Sequence, residues 1–136
     1  MTLRELSQLY YLNREIDADK RRLEEIKLKL SASGQRLSDM PRAPGCKNQL
    51  ERYIAELVDL ETVITAKTLQ CTCERNRLER YIAEIPDSLT RQIFTLRFIN
   101  GLNWVQIAHS IGGGNTEEGV RKRVYRQIKQ TDKNKK

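Results

Sequence analysis

The residues best equipped for chemistry lie near the C-terminus, between Thr116 and Lys129. Glu117, Glu118, Arg121, Lys122, Arg123, Tyr125, Arg126 and Lys129 crowd this stretch, while Val120, Val124 and Ile128 recur through it every four residues. At about 100° per residue the three apolar side chains form one narrow stripe. Glu118, Lys122, Tyr125, Arg126 and Lys129 fall on the opposite side, flanked by Arg121 and Arg123. Guanidinium, ammonium, phenol and carboxylate groups displayed together suit hydrogen bonding to base edges and phosphates rather than bond-making. Asn115 or Thr116 can cap the helix, and Thr116 with the first N–H groups could hold a phosphate.

Catalytic and metal chemistry find no comparable cluster. His109 is the single histidine, expected to be exposed, and no Ser, Cys or Asp stands out as its partner. Gly112-Gly113-Gly114 lacks the Lys-Ser/Thr that completes a phosphate-binding loop. Cysteine is odd in number, at Cys46, Cys71 and Cys73. Cys71 and Cys73 lie two apart on a helix and point in different directions, so no zinc site is expected. The expectation is a protein that is not an enzyme and needs no cofactor and no metal. No apolar leader follows Arg4 and Glu5, and no run approaches 18 apolar residues. We therefore expect no membrane partner, and a cytoplasmic location with reduced thiols.

The elements that would position the cationic face come just before it. Asn103 can cap a short helix whose apolar side is Ile107, Ala108 and Ile111, with Ala108 small enough to admit another helix. Gly112 to Gly114 then form a turn that glycine alone accepts cheaply. Trp104, in the first turn, reads as a core anchor rather than a base-stacking residue. Upstream, Pro86 ends a helix and Asp87 or Ser88 caps the next. That helix buries Leu89, Ile93, Leu96 and Phe94, and stops at Asn100-Gly101. Three helices closing one core, with the last turned outward, make a helix-turn-helix.

Charge follows the same division. The chain of 136 residues carries a net charge of +7 and is 38% hydrophobic, low for a globular domain. Residues 1–90 hold 15 Lys and Arg against 15 Asp and Glu, and residues 91–136 hold 10 against 3. A basic C-terminal part calls for a polyanion, double-stranded DNA first. The cationic helix lacks the Trp, Phe and Leu face that a membrane surface would require.

Residues 1–85 read as a helical hairpin or coiled coil. Leu9, Ile16, Leu23 and Leu30 repeat every seven residues, Leu12 and Ile26 fill the intermediate positions, and Asp19 interrupts them. A second helix, from about Asn48 to Ile85, repeats Leu50, Leu57, Ile64, Cys71, Leu78 and Ile85. Its octet LERYIAEL at 50–57 returns as LERYIAEI at 78–85, four heptads later, which keeps both copies in register. Residues 31–47 contain Gly34, Pro41, Pro44 and Gly45 and predict a loop long enough to reverse the chain. The seam can close within one chain or build a homodimer through these helices. The expected architecture is all-α, with the helical hairpin at 1–85, a DNA-binding helix-turn-helix at 86–130 and a basic tail at 131–136.

From Pro86 to Lys129 the sequence resembles region 4 of the sigma-70 family. The shared features are Leu89-Thr90-Arg91-Gln92-Ile93, Leu96-Arg97-Phe98, Gly101-Leu102-Asn103-Trp104, Ile107-Ala108, Gly112 and Val120 through Arg126. The whole chain is similar to a group of small phage and mobile-element transcriptional regulators of Gram-positive bacteria. The resemblance implies a sequence-specific regulator whose recognition helix enters the major groove, and it permits contact with RNA polymerase. The turn before Val120 is two residues longer than in a tight helix-turn-helix. The N-terminal half lacks the aromatic platform needed to trap a melted promoter strand, so a complete sigma factor is not expected. Two other readings fit the same residues: a small terminase-type subunit for DNA packaging, and a coiled-coil adaptor binding RNA polymerase.

Overall fold

The structure is a computed structural model; it describes residues 1–39 and 46–136, with side chains described for 1–32 and 48–136. The fold is all-α, with no strand among the described residues. Two long helices, α1 (Leu3–Asp39) and α2 (Cys46–Ala83), precede α3 (Ser88–Phe94), a π-helical turn (Thr95–Ile99), α4 (Trp104–Ile111) and α5 (Glu117–Asn134). No helix among the described residues is long and apolar enough to cross a membrane.

The chain groups into two compact units. One comprises Met1–Leu12 with Cys71–Lys136, the other Asn13–Gln70. In the Asn13–Gln70 unit α1 and α2 run antiparallel, because later residues of α1 meet earlier residues of α2. Arg22 pairs with Glu56, Lys29 Nζ lies 5.8 Å from the centre of the Tyr53 ring, and Lys67 Nζ reaches Asp19 Oδ2 at 2.7 Å and Glu15 Oε2 at 3.5 Å. Ile16 and Ile26 are buried, while Leu23, Leu30, Leu50, Leu57 and Ile64 are half-buried. Asp19, the interruption in the heptads of α1, therefore meets Lys67, which stands three residues after the seam residue Ile64 of α2. A polar pair at a seam position fixes helix register at some cost in stability.

The unit containing the C-terminus is built around a denser core. Leu6, Leu78, Phe94, Ile107 and Val124 are fully buried, each 0% exposed. The Phe94 ring lies 5.3 Å from that of Phe98 and 6.1 Å from that of Tyr81. Arg77 pairs with Glu5 at 3.1 Å. Arg91 braces the corner between α2 and α3, its Nη1 donating to the Ile85 and Pro86 carbonyls at 2.6 and 3.0 Å.

Two expectations are corrected. The loop predicted over 31–47 is shorter, since α1 continues to Asp39 and α2 begins at Cys46. A helix interior tolerates a lone glycine such as Gly34 at about 1 kcal/mol. Met40 to Gly45, including Pro41 and Pro44, fall outside the described residues. The helix expected to run unbroken to Asn100 instead changes at Thr95 to a π-helical turn, closed by Asn100 N–H donating to the Thr95 carbonyl at 3.0 Å. Its buried residues differ accordingly. Thr90, Ile93, Phe94 and Phe98 are buried, while Leu89 and Leu96 are half-buried.

Candidate nucleic-acid interface

Helix α4 begins with a reciprocal cap. Asn103 Oδ1 accepts from Gln106 N–H at 2.8 Å, and Gln106 Oε1 accepts from Asn103 N–H at 3.0 Å. Both groups that would otherwise be orphaned at a helix start are thereby satisfied. Ile107 enters the core, and α4 ends against Gly112. Gly112, Gly113 and Gly114 have φ of 64°, 65° and 78°. Three successive left-handed residues explain why this turn is made of glycine.

Of the two candidate caps for α5, Thr116 is the one used; its Oγ1 accepts from Gly119 N–H at 3.1 Å. Glu117 and Glu118 in the first turn complement the positive end of the helix dipole. A side chain at Gly119 would put its Cβ 3.1 Å from that same Oγ1, so glycine leaves the cap undisturbed. Val120, Val124 and Ile128 are buried, at 2%, 0% and 7% exposure, as α5 packs on α3 and α4.

All nine residues singled out from the sequence are exposed: Thr116, Glu117, Glu118, Arg121, Lys122, Arg123, Tyr125, Arg126 and Lys129. They occupy one helix and its cap, with Tyr125 at 41% exposure. Two of the five cations among them are engaged within the chain. Lys122 Nζ pairs with Glu118 Oε1 at 3.0 Å, a one-turn pair worth only a few tenths of a kcal/mol. Arg123 Nη1 donates to Asp87 Oδ2 at 2.8 Å, tying α5 to the cap of α3. Arg121, Arg126 and Lys129 have no ion pair among the described residues. The outward face thus carries three uncommitted cations beside two exchangeable ones.

Asp87 is the residue whose part sequence reasoning left incomplete. It caps α3 as anticipated, accepting from Thr90 N–H at 3.0 Å and from the Thr90 hydroxyl. These bonds, with the nearby Arg123 charge, hold its carboxyl below the usual aspartate value. The ion pair spans 36 residues, and no local spacing announces it. His109 is exposed. Cys71 is buried and Cys73 exposed, so the two thiols do point apart; burial pushes the Cys71 thiol up, away from reactivity. The Cys46 side chain lies outside those described. Trp104 is half-buried, with the Arg97 guanidinium stacked 4.5 Å from its ring centre. Ile107 and the two phenylalanines fill the core in its place.

No protein-family model matches the chain, and neither a curated protein nor a solved structure shows a significant match to it.

Proposed function

We propose that the chain is a sequence-specific DNA-binding transcriptional regulator, without catalytic activity, of the phage or mobile-element kind that its sequence resembles. In this reading α4, the glycine turn and α5 form a sigma region 4-like helix-turn-helix. One observation carries it: α5 is anchored by Val120, Val124 and Ile128 and leaves its opposite, cationic face open. A helix of this kind can enter a major groove, which is wide enough for it. Glu118, Lys122 and Tyr125 would face base edges, with Glu117 and Arg121 beside them. Thr116 and the first N–H groups would hold a phosphate, and Arg123, Arg126 and Lys129 would neutralise others. Double-stranded DNA is the partner proposed, in a bacterial cytoplasm, with RNA polymerase as the second contact that the resemblance permits.

Selection of bound sequences from random duplex DNA, with and without RNA polymerase, tests this directly. With about four phosphates engaged, log K falls against log salt with a slope of about −4. Lys122→Ala and Arg126→Ala should each weaken binding while leaving the helical circular dichroism unchanged. Unchanged affinity in both variants removes the proposal. Retention on polymerase without any DNA affinity would instead favour the adaptor reading.

A further inference from the structure

Between the start of α1 and the turn that leads into α4 lies a cavity of about 160 Å³, within the unit that contains both. Its wall includes Ser7, Tyr10, Tyr11, Arg97, Phe98 and Asn103. Tyr10, Tyr11 and Phe98 bring aromatic rings to it; Tyr10 and Tyr11, 38% and 61% exposed, stand edge to face with centroids 5.4 Å apart, and Phe98 is buried. Arg97 brings the only formal charge among the described residues that line it. It is half-buried, its face stacks on Trp104, and its Nη1 donates to the Leu102 carbonyl at 3.0 Å. Neither contact neutralises the cation, and among the described residues no carboxylate pairs with it.

The backbone is unusual at the same place. Arg97 and Phe98 both lie on the π-helical turn Thr95–Ile99. Such turns are uncommon inside helices and are frequent at functional sites. A half-buried cation without a carboxylate partner favours an anion, and the planar guanidinium fork matches a carboxylate with two parallel donors. One positive charge balances one negative charge, so a monoanion fits better than a doubly charged phosphate. Cavities of about 150 Å³ accept a benzene ring, which sets the scale of the ligand's body.

We propose that this cavity binds a planar organic monocarboxylate, its carboxylate on Arg97 and its ring against Tyr10, Tyr11 and Phe98. The hydroxyls of Ser7 and Tyr11 would serve a polar ring substituent. Asn103 carries occupancy to α4, because this wall residue is also the cap of that helix. The site stands on its own geometry and does not depend on the DNA-binding reading.

The test is a titration of the full chain with sodium benzoate and, separately, with its neutral counterpart benzamide, followed by amide NMR shifts. Benzoate should move the Tyr11, Phe98 and Gly101 signals to saturation, with benzamide at least about 10-fold weaker, the loss expected for a charged hydrogen bond. Arg97→Gln should weaken benzoate about 10-fold and leave benzamide unchanged, and Tyr11→Ala should weaken both. Should Arg97→Gln fail to fold, the contrast between the two probes on the unaltered chain decides alone. Shifts that never saturate, or equal affinities for the two probes, overturn the proposal. So does inorganic phosphate saturating the same signals at lower concentration than benzoate.

Discussion

Of the apolar side chains that the described residues bury, only Ile16 and Ile26 belong to the Asn13–Gln70 unit. The remainder, from Met1 and Leu6 through Phe94 to Ile128, belong to the unit that holds both termini. One unit is a core in which the Tyr81, Phe94 and Phe98 rings meet at tilted angles; the other is a two-helix seam with ion pairs along its edges. Burial of apolar area dominates folding free energy, whereas exposed pairs add at most about 1 kcal/mol each. The two units should therefore differ in what they lose when a side chain is removed. They should also differ in how easily they open locally.

The largest contrast comes from truncating one buried residue in each. Phe94→Ala should cost about 3–5 kcal/mol, because it opens a void between Phe98 and Tyr81. Ile26→Ala should cost about 2 kcal/mol, the low end for such a change, because a two-helix seam can collapse around the gap. Urea unfolding followed by circular dichroism gives both values. Equal costs would mean that the seam is packed as rigidly as the aromatic core, and the contrast would be lost. Native-state hydrogen exchange sharpens it: amides of 13–32 and 48–70 should exchange through openings shallower than global unfolding, while those around Phe94 and Val124 should not.

A smaller effect separates register from stability within the seam. The side chains of Lys67 and Asp19 are 27% and 25% exposed, between a surface pair and a buried one. Removing either alone should destabilise the chain only slightly. Replacing both by leucine should be neutral or stabilising, since well-packed apolar residues commonly outperform an ion pair. The same exchange should let the helices slip, which cysteine cross-linking across the seam would detect. Hydrogen bonding to Asp19, then its charge and that of Glu15, raises the Lys67 pKa. A raised lysine contributes fully below its unfolded value of about 10.4 and loses that contribution as pH climbs through the folded value. Alkaline titration should accordingly narrow the gap between the unaltered chain and Lys67→Ala. A gap that widens instead would assign the pair no net stabilisation.

Periodic features were legible in the sequence, and the irregular ones were not. Val120, Val124 and Ile128 fixed the buried side of α5 because a helix repeats every 3.6 residues, and Asn103 and Thr116 announced their helices because caps are local chemistry. Gly34 misled, since one glycine weakens a long helix without ending it. The π-helical turn left no mark, for Thr95 to Ile99 would read equally well as α-helix. Arg97 beside Trp104 and Arg123 beside Asp87 were hidden for another reason. Both depend on how separate elements pack, and spacing along the chain does not encode that.

The ion pair between Arg123 and Asp87 gives the smallest effect and joins the core to the outward face of α5. Asp87→Asn keeps a good cap for α3, because asparagine caps as well as aspartate, but it removes the charge that holds Arg123 at 2.8 Å. Both side chains are about half exposed, so the loss in stability should be slight. Its pH dependence has a definite sign. Hydrogen bonds from the Thr90 hydroxyl and N–H, then Arg123, depress the Asp87 pKa. Its contribution is therefore present above the unfolded carboxylate value of about 3.9 and lost as pH falls through the folded value. The stability difference between the unaltered chain and Asp87→Asn should vanish below that range. If α5 also lies on duplex DNA, Asp87→Asn removes the carboxylate that competes for Arg123 and should tighten binding, with the slope of log K against log salt unchanged at about −4. A variant that binds duplex DNA no more tightly than the unaltered chain would place Arg123 in the protein's own scaffold, leaving Arg126 and Lys129 to carry the side-chain phosphate contacts.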